Sequence, residues 1–289
     1  MKLNFQKKLP LLIFLITLTA PVSKLFSQAK IKGNKDVKTE QTTIEAFNKL
    51  SIGNELEVVL IKAPTPSVTI EADSNLHPVI NFQVSDSTLN FQVNKIMKGA
   101  KEFKAIIRYT DHLNTIILNG SVDVEAESNL QLKKLDLILN DDARIDASIV
   151  SEQFRLENNN DTSLKLKTNC ILNIESKIAK LELKSNSNNS IEINAEELEI
   201  MTSEKAELDI EGFTYRLNAR SRDASEIEGE KLLTNISNVV LSEKADAYIQ
   251  ASDSIKINAT GDTKLYLYGE PKITVKKFSG TPSILKKQL

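Results

Sequence analysis

Leu135-Asp136-Leu137-Ile138-Leu139-Asn140-Asp141-Asp142-Ala143-Arg144-Ile145-Asp146-Ala147 contains one full unit of the pattern that decides the fold. Leu135, Leu137 and Leu139 alternate with other residues, a polar turn follows, Ala143 is small, and Ile145 and Ala147 resume the alternation. Period-two alternation places one set of side chains on one face of a strand and the rest on the other. The unit recurs. Further turns read Asn119-Gly120-Ser121, Asn160-Asp161-Thr162, Asn188-Asn189-Ser190, Glu204-Lys205-Ala206, Arg222-Asp223-Ala224, Glu243-Lys244-Ala245, Gly261-Asp262-Thr263 and Ser279-Gly280-Thr281. Their centres are spaced roughly 16–22 residues apart, with one longer step of about 28 near Cys170, close to the period of a solenoid.

No single unit can bury its apolar face alone, whereas stacked units form a continuous core and pair each strand above and below. A column of small residues after the turns (Ala143, Thr162, Ser190, Ala206, Ala224, Ala245, Thr263 and Thr281) fits the tight corner of a coil. A meandering antiparallel sandwich would give similar alternation but no repeating corner column. Ala224 and Ile227 are three apart, which predicts a bulge within 221–228. Glu196-Glu197-Leu198-Glu199 could be drawn as helix, but the surrounding repeat predicts strand.

Upstream, from Ile44, shorter alternating runs are broken at Gly53-Asn54, Pro64-Thr65-Pro66, Asp73-Ser74-Asn75 and Ser85-Asp86-Ser87. Strands of five to seven residues are expected there. Residues 44–112 are thus read as N-terminal strands and cap, and 113–289 as regular repeats. Residues 30–43 are polar, show no period, and read as a tether. Lys2, Lys7 and Lys8, the apolar run Leu9–Ala20 and the small-residue site Ser27-Gln28-Ala29 predict a cleaved signal peptide over 1–29. The run is short for a membrane anchor. Lys276-Lys277 and Lys286-Lys287, with Pro271 and Pro282, would guard the last coil against edge pairing.

Cleavage removes Lys2, Lys7, Lys8 and Lys24 and no acid, so 37 basic and 39 acidic residues become 33 and 39, about −6 in net charge. A mildly acidic chain does not favour nucleic acid, and no later segment could span a bilayer as a helix. One cysteine excludes an internal disulfide framework. With no tryptophan and 5% aromatics, the core must be aliphatic.

The ending Lys264-Leu265-Tyr266-Leu267-Tyr268-Gly269-Glu270-Pro271-Lys272-Ile273-Thr274-Val275, with Phe278-Ser279-Gly280-Thr281, resembles the last coils of the putative auto-transporter adhesin head domain (GIN domain) family. Phe47, Leu50, Ile52, Glu57-Val58, Asn75-Leu76 and Leu89-Asn90-Phe91 are similar to its opening. The resemblance covers about residues 44–284. It implies a single all-β, right-handed parallel β-solenoid with coils of about 18–20 residues, exported by bacteria, with no established activity and no functional residues to carry over. The family's glycine-containing corner turns are mostly lost here, their places taken by Asp142, Asp161, Asn189, Lys205, Asp223 and Lys244. Lysine tolerates positive φ poorly, so different turn geometry is expected.

Chemistry is sparse. His77 and His112 are the only histidines and neither has a cysteine partner, so no metal site is expected. Cys170 lacks an activating neighbour and reads as a buried or half-buried thiol. Asp141, Asp142 and Asp146, or Asp209 with Glu211, would be the acids of a polysaccharide-cleaving enzyme, yet each occupies a turn or outward position where a solvated acid is expected. Outward Tyr248, Tyr266 and Tyr268 could stack on sugars or simply cover neighbouring coils. Matches to the glycosylation pattern, such as Asn235-Ile236-Ser237, arise from the Asn-rich composition. The expectation is therefore a non-enzymatic β-solenoid of the cell envelope, in the periplasm, on the outer surface or outside the cell, without cofactor or metal. Its partner would be a glycan or cell-surface protein. The alternatives are a purely structural, self-associating envelope element and, third, a polysaccharide-cleaving enzyme.

Overall fold

The computed structural model describes residues 30–288 apart from 54, 94 and 161–169. Its described residues form no α-helix; one 3-10 turn, His77–Val79, interrupts the strands. From Thr115–Leu118 and Val122–Ala126 onward the chain winds through Leu130–Asp141, Arg144–Asn160, Cys170–Leu183, Asn188–Thr202, Glu207–Ser221, Glu226–Leu241 and Asp246–Gly261. It ends in Lys264–Tyr268, Lys272–Gly280 and Ser283–Lys286. All neighbours in this series pair in parallel, as stacked coils require. Asn188 lies opposite Glu207, a step from 188 to 207, and Asp246 opposite Lys264, a step from 246 to 264. These steps give coils of the expected length. The step is longer from Ile145 to Cys170, where the coil contains residues 161–169.

Each long strand bends once. Ser151 pairs with Ser176 and Gln153 with Ile178, while Glu152 and Lys177 are left out, and the same skip occurs at Glu196 and Tyr215. A coil therefore has two legs, each presenting one outer flank. Inward side chains stack in register. One column runs Leu89, Leu50, Ile116, Leu137, Leu156, Leu181, Ile200, Ala219, Val239, Ile257, and every member is 0% exposed. Burying such a side chain contributes about 1.5–3 kcal/mol, so the column is a main source of stability.

The corner between coils is a four-residue turn. Ala143 N–H donates to Asn140 O, Ser187 to Lys184, Ala206 to Ser203, Ser225 to Arg222 and Ala245 to Ser242, at 3.2–3.4 Å. The second turn residue is left-handed each time: Asp141 (φ 62°), Ser185 (60°), Glu204 (63°), Asp223 (63°) and Glu243 (64°). This conformation turns its carbonyl along the stack. Glu204 O accepts from Ala224 N–H at 2.8 Å, and Asp223 O from Lys244 N–H at 2.8 Å. The stacked bonds over-determine a geometry that an L-residue otherwise avoids.

Several expectations shift on this frame. Lys205 and Lys244 escape positive φ because the glutamate before each takes it. The turn expected at Asn188–Ser190 sits three residues earlier, at Ser185–Ser187, and 188–190 belong to a strand. Ser225, not Ala224, occupies the corner column: it is 1% exposed, and its turn is regular. No bulge forms at that corner; the irregularity lies later, after Gly229. Asn160-Asp161-Thr162 and the Cys170 side chain lie outside the described residues.

The N-terminal end is elaborately closed. Lys49–Ile52 and Leu56–Lys62 stack on the first regular coil, and Thr88–Val93 and Phe103–Tyr109 stack on them in parallel. Antiparallel Ser67–Asp73 and Ile80–Ser85 then cover those edges. The stretch 30–43, read as a tether, carries two strands: Val37–Thr43 pairs antiparallel with Ser67–Asp73, and Lys30–Lys32 pairs with Ile96–Lys98. Its side chains are polar because one edge and both faces of Val37–Thr43 meet little of the core. Buried Asp73 ties this cap together, accepting from the N–H groups of Lys35 (2.7 Å), Lys101 (3.1 Å) and Glu102 (3.2 Å). Burial pushes its pKa up, but those three donors outweigh burial and hold the carboxyl below its ordinary value.

Candidate functional site

The two flanks differ in chemistry. On the leg preceding each corner, opposite charges pair along and between coils: Lys134–Asp136 at 2.7 Å, Arg155–Glu157 at 2.6 Å, Lys184–Glu182 at 2.8 Å and Arg220–Glu199 at 2.6 Å. Exposed pairs of this kind contribute little each, but they leave the flank balanced in charge. On the leg following the corner, Glu207, Asp209, Glu211, Glu226, Glu228 and Asp246 face outward at neighbouring register positions. Burial and then the adjacent carboxylates raise the pKa of Glu226 and of Glu228. Further along this flank Tyr248 and Tyr266 stack with centroids 4.3 Å apart and planes at 12°. Lys287 sits 5.3 Å over the Tyr266 ring. Burial, and then Tyr266, lift the Tyr248 hydroxyl to about 12. These tyrosines cover one another, so most of their ring faces are already in use.

A local break in the repeat creates a different surface. Asp209 pairs with Glu228 but Glu211 with Lys231, and Gly229 pairs with Ile249 but Leu233 with Gln250. The coil Glu226–Leu241 therefore carries extra residues between Gly229 and Leu233. Such a bulge re-aims the side chains beside it. Leu232 turns into the core at 1% exposure and Leu233 outward at 51%. Gly212 accommodates the displacement at φ 114°, where any Cβ would run into the Ile193 carbonyl. Leu233 thereby joins its register partner Phe213, which is outward at a regular position opposite Asn194, and Tyr215 two residues on; Phe213 and Tyr215 are 42% and 48% exposed. The Arg216 guanidinium lies 6.0 Å over the Tyr215 ring, and its Nε is 3.7 Å from Glu197. Asn194, opposite Phe213, and Glu211 supply polar groups at the rim.

The residues singled out from sequence do not converge. Asp141 directs its carboxylate to Gly120 N–H at 2.9 Å, a corner contact. Asp146, Asp209 and Glu211 are exposed acids on the flat acidic flank, and Asp142 is an exposed turn residue. His77 Nε2 lies 3.1 Å from Lys38 O and 3.3 Å from Ala72 O, bracing the cap. His112 is exposed in a loop. Among the described residues no group of three His, Cys, Asp or Glu is placed to hold a metal. Phe213, Tyr215 and Leu233 escaped the sequence reading because Phe213 and Tyr215 alternate like core residues. Only Gly212 and Gly229, the two glycines between Gly120 and Gly261, marked the spot.

A groove of about 660 Å³ also follows the corners past Ser185, Glu204, Asp223, Glu243 and Asp262. Asp223 holds Glu204 N–H at 3.0 Å, a bond that lowers its pKa, so its carboxylate is committed to the fold.

Three crystal structures share the architecture. A "putative adhesin" from Parabacteroides merdae superposes with a TM-score of 0.65 at 17% identity, covering 90% of this chain and 99% of the other. A "putative lipid binding protein" from Parabacteroides distasonis gives 0.62 at 12% identity, covering 89% and 99%. A "putative adhesin" of the same species gives 0.62 at 14% identity, covering 89% and 100%. At such identities the likeness shows the fold. No curated protein sequence matches the chain. The family profile described as "Putative auto-transporter adhesin, head GIN domain" matches residues 46–172 and 163–271, and the chain belongs to that family.

Proposed function

We propose that the protein is an exported, non-enzymatic binding module of the cell envelope, and that the Phe213–Tyr215–Leu233 patch holds a surface polysaccharide. The observation that carries this reading is the bulge: it turns Leu233 outward beside Phe213 and Tyr215, among amides and carboxylates. Sugar rings offer that chemistry, an apolar C–H face for Phe213 and Tyr215 and hydroxyls for Asn194, Glu211 and Gln250. Isolated exposed apolar residues are ordinary, but a contiguous group at a built irregularity marks a contact surface. The family's description as an adhesin head and the adhesin names of two fold relatives support the same role.

A panel of purified bacterial and host polysaccharides, probed with residues 30–289, tests this. One or more should bind, and Phe213→Ser with Tyr215→Ala should weaken binding about tenfold or more, a loss of about 1.4 kcal/mol. Binding that survives both substitutions, or its absence across the panel, would refute the assignment, and binding to an envelope protein instead would replace the polysaccharide.

A further inference from the structure

The solenoid is closed at one end and open at the other. The inward column that runs from Leu89 through Ile257 at 0% exposure continues to Val275, which is 46% exposed. Its neighbours on the last coil fare the same, Ile273 at 46% and Phe278 at 48%. At the N-terminal end the equivalents of Val275 and Phe278, Leu89 and Phe91, are 0% and 1% exposed beneath an antiparallel strand. Lys272–Gly280 pairs with Asp246–Gly261 on one side and with no described strand on the other. Stacked repeats need a polar cap on a terminal coil, and this coil presents core residues instead.

Lysines guard this edge only in part. Lys286 occupies an inward position of the other leg, opposite Leu267, and its ammonium reaches the Gly269 carbonyl and, at 3.2 Å, Glu270. That half of the end is plugged. The half formed by Lys272–Gly280 has no such plug: Lys272 and Lys277 lie at outward positions opposite Ser254 and Asn258, Lys276 falls at the register break between Val275 and Lys277, and Ile273, Val275 and Phe278 stay exposed. No acid lies within Lys272–Gly280 to offset them. A second copy fits poorly. Two such ends would bring lysines together, and the open N-terminal edge strands, Val37–Thr43 and Ile80–Ser85, carry no excess of acid.

We propose that the Lys272–Gly280 edge accepts an extended strand from another protein, one in which apolar residues alternate with acidic ones. Added strands gain affinity from main-chain pairing and specificity from alternate side chains. Here one set would cover Ile273, Val275 and Phe278 and the other would face Lys272 and Lys277. This site is separate from the Phe213 patch and neither depends on the other.

The probe is a labelled, end-capped octapeptide alternating glutamate with isoleucine, compared with its lysine counterpart by fluorescence anisotropy on residues 30–289. The glutamate peptide should bind at least about tenfold tighter, which is 1.4 kcal/mol. Lys272→Glu with Lys277→Glu should reverse the preference, and Val275→Lys should abolish both interactions. The charge-reversed variant lies on the surface, and an unchanged Tm shows that it is folded. Equal binding of the two peptides, no binding of either, or a preference that survives charge reversal overturns the proposal. So does a concentration-dependent oligomer in sedimentation that Val275→Lys dissolves, because a second copy would then be the occupant.

Discussion

Replacing Glu204 with glycine should stabilise the protein, while the same replacement at the next residue, Lys205, should destabilise it. Glu204 is left-handed at φ 63° and Lys205 is not. An L-residue in that conformation costs about 1–2 kcal/mol, which glycine avoids. Glycine in turn loses about 0.5–1 kcal/mol of extra backbone entropy on folding. Glu204→Gly should therefore gain up to about 1.5 kcal/mol, and Lys205→Gly should lose about 0.5–1 kcal/mol with no relief to offset it. Neither change touches the bonds that hold the corner, because these run through the backbone: Glu204 O accepts from Ala224 N–H, and Glu204 N–H donates to Asp223. Both side chains are exposed. For a domain of this size, 1 kcal/mol moves Tm by about 2–4 °C, so the two variants should separate by several degrees in a thermal melt followed by circular dichroism. A higher midpoint for Lys205→Gly than for Glu204→Gly would refute the assignment of the left-handed position and the turn phase built on it.

Leu181→Ala, in the middle of the 0% column, should cost about 2–5 kcal/mol in urea unfolding, whereas Val275→Ala at the open end of the same column should cost under about 1 kcal/mol. Asp73 has a depressed pKa in the folded state, so its stabilisation is complete above the ordinary carboxylate pKa and lost as pH falls through the folded value. Asp73→Asn should thus lower Tm at neutral pH and flatten the acid limb of a Tm–pH profile. Glu228 has a raised pKa, the opposite sign: its favourable contribution is complete below the unfolded value and lost as pH rises through the folded one. Glu228→Gln should therefore raise Tm at pH 7 and have little effect near pH 3, read from paired melts.

Period-two alternation and corner residues revealed the solenoid, because stacking repeats the same burial at every coil. Turn phase was harder to read at 185–190, where Ser185-Asn186-Ser187-Asn188-Asn189-Ser190 is polar throughout. Asn189 looks like a turn residue but points inward at 0% exposure, where it accepts from Asn158 Nδ2 at 2.6 Å and donates to Glu207 O at 3.1 Å. A satisfied amide pair in the core is indistinguishable by composition from a solvated loop. Polar residues 37–43 misled for a related reason. A strand that covers an edge through its backbone needs no apolar face, so it leaves no alternation to find. The bulge was hidden because hydropathy cannot say which of Leu232 and Leu233 faces inward.

Regularity itself indicates where function should be sought. In a stack of equivalent coils each outer position has a counterpart one coil away, so a ligand held by a regular flank would have no reason to prefer one level over the next. Selection of a single site requires a place where translation along the stack fails. Two such places among the described coils also expose apolar side chains. The extra residues after Gly229 break the register and aim Leu233 outward, and the last coil ends a column of buried side chains at Val275. The acidic flank, by contrast, repeats its carboxylates at Glu207, Glu226 and Asp246 and so offers a graded field rather than an address. Substitutions at the two breaks should therefore change which partner is held, and substitutions along the flank should change mainly how binding responds to salt.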